Sequence, residues 1–127
     1  MTLAYVTIGA HDVEAAKPFF DATLGALGYE RSAPFPGWIF YGPKGGEMSI
    51  GICKPYDGDA PRAGNGIMVA LAAETQDQVA AAYAAALANG GTDEGAPGFR
   101  PPEATSGFYG AYFRDPVGNK YCVFVTS

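Results

Sequence analysis

The sequence predicts an α+β fold in which one module, βαβββ, occurs twice. Three observations carry this. A connector rich in Pro, Gly and Asp, Lys54–Gly66 (KPYDGDAPRAGNG), shows no hydrophobic periodicity and divides the 127 residues nearly in half. The order of strand-like and helix-like segments before the connector is repeated after it. The chain then closes on Phe108–Phe124, FYGAYFRDPVGNKYCVF, two aromatic and β-branched runs around Asp115–Asn119. Pro cannot serve a central ladder, and Gly and Asn tolerate left-handed backbone, so those five residues predict a turn and the flanking runs an antiparallel hairpin.

Leu3–Ile8 is apolar and β-rich, a short first strand. Asp12 is a good N-cap, and the stripe Val13, Ala16, Phe20, Leu24, Leu27 predicts a helix after it. Gly28 supplies the stop, while Pro18 lies too deep for the first turn and predicts a lost backbone bond or a local bend. Tyr29–Ser32, Trp38–Tyr41 and Met48–Cys53 are strand candidates separated by Pro-Gly and Lys-Gly-Gly turns. After the connector, Ile67–Ala72 predicts a strand, and Thr75 with Gln78 a capping box. The Ala-rich helix that follows presents Val79, Tyr83 and Leu87 on one face and stops at Gly90-Gly91. A short strand over Thr92–Glu94, an irregular Pro/Gly segment and the hairpin complete the second half. The modules are expected over about residues 1–54 and 67–127 of a single domain, with a linker over 55–66.

At this length a chain buries a core without disulfide or metal staples. Net charge is −5 with no Lys/Arg cluster, which argues against nucleic-acid binding. No apolar run approaches the roughly 18 residues a membrane span needs, and no basic region with an apolar core opens the chain, so neither a span nor a signal peptide is expected. Cys53 and Cys122 form neither a disulfide framework nor a zinc spacing, and a reduced cytoplasmic setting is the expectation. A bridge between the two stays open.

The opening strand, the Asp12-headed helix ending in LGALGY, the second helix ending in ANGG and the DPVGNK turn together resemble the vicinal-oxygen-chelate superfamily, which includes glyoxalase, bleomycin-resistance and extradiol-dioxygenase proteins. The resemblance covers nearly the whole chain. It implies that the two module sheets form a curved cup holding a small ligand. It also implies that homodimerisation is common.

Strand parity gives a separate reading of the two faces. Val6 and Ile8, Ile50 and Ile52, Val69 and Leu71, Val123 and Val125 are aliphatic, as a helix-covered face requires. The opposite positions are Leu3, Tyr5 and Thr7; Ser49, Gly51 and Cys53; Gly66, Met68 and Ala70; Lys120, Cys122 and Phe124. These are more polar and varied, and are expected to line the cup. Met and Cys are also adaptable core fillers, so a cup packed shut is the competing reading.

Metal-dependent members of the resembled family place one ligand on each of the first, fourth, fifth and last strands. Carried over, these positions fall on Tyr5, Gly51, Met68 and Cys122, none of them a family ligand. The only His, His11, precedes the first helix. No metal and no other cofactor is therefore expected, because a divalent ion needs converging carboxylate and imidazole groups.

The function expected is metal-independent binding of a small, partly aromatic molecule. The alternative is a glyoxalase-like lyase, isomerase or transferase, or a dioxygenase-like enzyme, acting on a small carbonyl or aromatic substrate with Tyr5, Cys122 and Lys120 as candidate catalytic groups. A third reading is a protein–protein module with a vestigial cup. Cys122 reads first as an inert thiol, since a reactive thiolate wants a base or cation and only Lys120 is near in sequence. Tyr5 either donates a hydrogen bond to a ligand or fills volume. Arg100, in GFRPP, together with Lys120 can hold an anionic substituent, or it is a solvated loop residue. Trp38 and Tyr41 are platforms for a flat ligand or ordinary strand packing. Tyr109 and Tyr112 point to opposite faces, so at most one lines the cup, and Tyr109 is the one expected there. Cys53, Met68 and Phe124 complete the expected ligand-binding set. The partners expected are a small molecule and a second copy of the chain. Neither a nucleic acid nor a membrane is expected.

Overall fold

Residues 2–126 are described by the computed structural model; the outermost residues of the expected modules, Met1 and Ser127, lie outside them. The first module runs β1 (Val6–Gly9), α1 (Val13–Gly25), β2 (Tyr29–Arg31), β3 (Trp38–Pro43) and β4 (Ile50–Cys53). The second runs β5 (Val69–Ala72), α2 (Gln76–Ala88), β6 (Thr92–Phe99), β7 (Phe108–Arg114) and β8 (Lys120–Thr126). Strand order is β1-β4-β3-β2 in one sheet and β5-β8-β7-β6 in the other, so the duplication holds in topology as well as in pattern. In each sheet the module's first and last strands pair in parallel and the remaining pairs are antiparallel.

Both helices start as the sequence predicts. The Asp12 carboxylate accepts from the backbone N–H of Glu14 at 3.0 Å and of Ala15 at 3.4 Å. The Thr75 hydroxyl accepts from Gln78 N–H at 3.1 Å, and the Gln78 side chain reaches back to Glu74 N–H at 2.7 Å. Helix α1 continues through Pro18, which is exposed, so the carbonyl left without a donor can be hydrated.

Most strands depart from their expected bounds, β2 by ending at Arg31 rather than Ser32 and β8 by running on to Thr126. The first begins at Val6 rather than Leu3, β4 at Ile50 rather than Met48, and β5 at Val69 rather than Ile67. The third extends to Pro43. The larger correction is β6, which runs to Phe99 instead of stopping at Glu94. It pairs with β7 across two register shifts, and those irregularities are what its Gly and Pro residues mark.

The aliphatic parity face is the one under the helices. Ile8, Ile50, Ile52, Leu71 and Val123 are buried, and Val6, Val69 and Val125 pack against them. The two modules share this core. Phe19, on α1, lies edge-on to Phe20 with centroids 4.9 Å apart, and reaches Phe113 and Tyr121 of the second module at 6.3 and 6.4 Å.

The DPVGN turn is organised by one buried carboxylate. Asp115 Oδ1 accepts from the N–H groups of Val117, Gly118 and Asn119 at 2.9, 2.9 and 3.1 Å. Its Oδ2 accepts from Asn119 Nδ2 at 3.0 Å and from the Tyr121 hydroxyl at 2.7 Å. Burial and the Asp115 charge hold the Tyr121 phenol well above its ordinary pKa. Asn119 Nδ2 also lies 3.4 Å from the carbonyl of Gly9, so the turn touches the first module.

Candidate functional site

Each sheet has one face under the helices and one open face. On the first open face the register places Phe40 opposite Gly51 and Trp38 opposite Cys53, with Thr7 beside Gly51. The Trp38 and Phe40 rings are stacked, centroids 5.1 Å apart and planes at 8°. Tyr5 and Phe35 meet Phe40 edge-on at 6.0 and 6.3 Å. Gly51 is what makes room for the stack: a Cβ there would stand 2.8 Å from Phe40 Cε1 and 3.1 Å from Trp38 Cζ3.

The second open face repeats the device. Phe108 stacks on Phe124 at 5.2 Å and 11°. A Cβ on Gly110, which pairs with Phe124, would stand 2.7 Å from Phe108 Cε1. Next along this face Tyr112 pairs with Cys122 and Arg114 with Lys120, while Met68 lies just before β5. Arg100 Cζ and Lys120 Nζ lie 5.5 and 5.7 Å from the centroid of the Tyr112 ring.

A wide groove of about 1370 Å³ runs over the end of the first sheet and includes Thr7, Phe35, Trp38, Phe40 and Cys53 together with the start of α1. Because it wraps round that end, only the lobe on the open face is a candidate ligand surface. A second groove of about 550 Å³ is lined by the end of the connector, Met68, Arg114 and Lys120. Neither groove draws residues from both open faces.

The structure thus brings the expected site residues into two groups. Trp38 and Cys53 belong to the first open face, and Tyr5, 45 % exposed, flanks it through Phe40. Met68, Arg100, Lys120, Cys122 and Phe124 belong to the second. Two expectations are corrected. Tyr109 pairs with Val125 on the helix-covered side and lies edge-on to Phe99 at 5.2 Å, so Tyr112 is the tyrosine on the open face. Tyr41 is buried, donates to Asp21 Oδ1 of α1 at 2.7 Å, and is no platform; Phe40 holds that place. Burial and the Asp21 partner raise its pKa.

Phe40, Phe108 and Tyr112 were the residues missed, and parity could have found all three. Phe40 is two residues from Trp38. The DPVGN turn, centred on Val117, forces the pairing of Arg114 with Lys120 and hence of Tyr112 with Cys122.

The proposed catalytic trio is not assembled within the chain. Tyr5 adjoins the first sheet, whereas Lys120 and Cys122 are on the second. Cys122 is buried, and burial pushes its thiol up although Tyr112, Arg100 and Lys120 each pull it down. Burial also raises the Cys53 thiol. Both cysteines are free. A nucleophilic thiolate is poorly served by either environment.

The same residues decide whether a divalent metal fits. At the four family ligand positions stand an exposed phenol, a glycine covered by two rings, a thioether and a buried thiol whose pKa burial raises. Among the described residues no group of three His, Cys, Asp or Glu side chains is placed to hold a metal ion. This donor set does not fit the metal of the metal-dependent members.

Comparison with known proteins adds the following. The model of the Glyoxalase/Bleomycin resistance protein/Dioxygenase superfamily matches residues 2–123. A glyoxalase/bleomycin resistance protein of Albidiferax ferrireducens T118 has a solved structure similar to this one, at 38% identity over 98% of both chains and a TM-score of 0.86. A family enzyme of Burkholderia phytofirmans PsJN matches at 20% identity over the full length of both, TM-score 0.74. TnmS3, an antibiotic binding protein of Streptomyces sp. CB03234, matches at 23% identity over 100% of this chain and 97% of its own, TM-score 0.68. No curated protein sequence matches. Among the described residues no helix is long and apolar enough to cross a membrane.

Proposed function

Since the chain belongs to the Glyoxalase/Bleomycin resistance protein/Dioxygenase superfamily, yet carries a ring stack over one of the positions where metal-dependent members carry a ligand, we propose that it binds a flat organic molecule without a metal. The observation that carries this reading is the Trp38–Phe40 stack over Gly51. A family ligand side chain at Gly51 would occupy the space these rings fill. Parallel rings on a glycine floor offer a flat apolar surface, and planar ligands gain dispersion and offset-stacking energy against such a surface. The second stack, Phe108–Phe124, gives the other module a matching wall. That a protein of this fold is an antibiotic binding protein is consistent with the reading, by likeness of fold alone.

The two walls do not share a groove within one chain. Apolar side chains stand exposed beside the second: Ile67 at 68 % and Met68 at 44 %. The edge strands β1 and β5 are unpaired on their outer sides among the described residues. We therefore take the working unit to be a homodimer in which the first wall of one copy closes on the second wall of another. The two free thiols suit a reducing compartment, and the cytoplasm is the one we propose.

Trp38 is the only tryptophan, so its fluorescence reports on the first wall. Titration with naphthamide is expected to quench it saturably with no turnover of the probe, and sedimentation is expected to show a dimer. Trp38→Ala or Phe40→Ala should weaken probe binding about tenfold or more, judged by the stacking energy lost. Unsaturable quenching, or a monomer that binds the probe equally well, contradicts the reading.

A further inference from the structure

We infer that the open face of the second module carries a prepared site for the anionic group of an organic ligand, a carboxylate or similar oxyanion borne on a flat ring. The inference rests on the reading above, that the open faces take a flat organic molecule, and it assigns that molecule a charge.

The Arg100 side chain is held in place by the strand it follows, β6. Its Nη2 donates to the carbonyl of Ala96 at 2.8 Å and its Nη1 to that of Phe99 at 3.2 Å. A Cβ on Gly95 would stand 3.2 Å from Nη2, and one on Gly98 3.2 Å from Nη1. Two glycines therefore leave the room in which the guanidinium lies along β6, and side chains at either position would crowd it. The register shifts between Asp93, Gly95 and Gly98 are what bring these carbonyls and glycines together. The Pro/Gly segment that reads as irregular in the sequence is a cradle.

What the cradle presents is unneutralised charge. Arg100 and Lys120 share one tyrosine ring, at 5.5 and 5.7 Å from its centroid. Neither forms an ion pair among the described residues. Of the two carboxylates on β6, Glu94 is taken by Arg114 at 2.9 Å. Asp93 accepts from the Tyr83 hydroxyl at 2.9 Å and from Gly95 N–H at 2.8 Å, and its register partner Phe113 is buried in the helix-covered core. Arg100 commits two of the guanidinium's five N–H donors to carbonyls, leaving the others for a ligand. Two half-buried cations beside one ring are both left without a counter-charge, and an anion bound at that ring supplies one. A guanidinium with its plane fixed suits a carboxylate, whose two oxygens it can meet together. The Phe108–Phe124 stack, farther along the same face, supplies a surface for the ring that carries the anion.

Naphthoate and its neutral amide, naphthamide, share one ring and differ in charge, so the pair isolates the anion. Binding is followed by NMR shifts of the Tyr112, Lys120 and Arg100 side chains. The carboxylate is expected to bind at least about tenfold more tightly than the amide, the range of a charge-assisted hydrogen bond, with the preference shrinking as salt is added. Arg100→Gln and Lys120→Gln should each bring the two probes close to parity. Arg100 also anchors β6, so Lys120→Gln is the cleaner variant: its ammonium makes no hydrogen bond or ion pair among the described residues. Equal binding of the two probes overturns the anion site while leaving the flat-molecule reading intact. A carboxylate preference that survives both substitutions also overturns it. Failure of both probes to bind at millimolar concentration contradicts both readings together.

Discussion

Asp115→Ala is expected to destabilise the folded chain by about 4 kcal/mol and to lower Tm by on the order of 15 °C. The side chain is 3 % exposed and accepts five hydrogen bonds, three of them from consecutive backbone N–H groups. An alanine leaves the N–H groups of Val117 and Asn119, and the buried Tyr121 hydroxyl, without the partner they now have, while Gly118 N–H keeps the Asp115 carbonyl at 2.9 Å; each buried orphan costs roughly 1–3 kcal/mol. Water can recover part of this at the half-buried turn, which keeps the total well below the sum. Asp115→Asn retains one acceptor oxygen and should lose less than the alanine. Tyr121→Phe removes only the 2.7 Å bond and should lose least. Urea unfolding of the three variants checks the order. A loss below about 1 kcal/mol for the alanine, the size of one ordinary hydrogen bond, would mean the turn holds itself without its carboxylate.

Phe19→Ala is expected to cost a similar amount, about 3–5 kcal/mol for an aromatic removed from a packed core. Its distribution should differ. Phe19 leaves α1 of the first module and meets Phe113 and Tyr121 of the second, so the cavity opens at the junction. Hydrogen exchange should accelerate in β7 and β8 as well as in α1. Acceleration confined to α1 would show that the second module does not depend on this contact.

Phe19 also marks the limit of what the sequence discloses. The stripe from Val13 through Phe20 to Leu27 gives the face of α1 over its own sheet, because that face repeats at helical period. Phe19 lies about 100° round the helix from Phe20 and is buried by a module whose nearest elements are dozens of residues away. No local pattern encodes that. Strand parity worked where one face is uniformly aliphatic, as at Ile50 and Ile52. It was unhelpful where aromatics occupy both faces, as with Tyr109 and Tyr112, until the turn fixed the register. The Gly95–Arg100 segment stayed opaque because a bulged strand has no period of two. Whether the open faces meet across two copies is a property of association, which a single chain's pattern does not carry.

The family assignment invites a metal, and the absence of a fitting donor set among the described residues is where this chain departs from its metal-dependent relatives. That departure is tested most directly by purifying the protein without a metal-binding tag, measuring its metal content, and titrating zinc, nickel, manganese and iron while following thermal stability. A metal that binds only the folded state stabilises it by about 2.7 kcal/mol at 100 times its dissociation constant. Substoichiometric metal and no shift with any of the four ions is the result expected of open faces that carry Tyr5, Gly51, Met68 and Cys122 at the family ligand positions. A stoichiometric ion, or a saturable stabilisation by one of them, would contradict it and return the search to residues outside these positions.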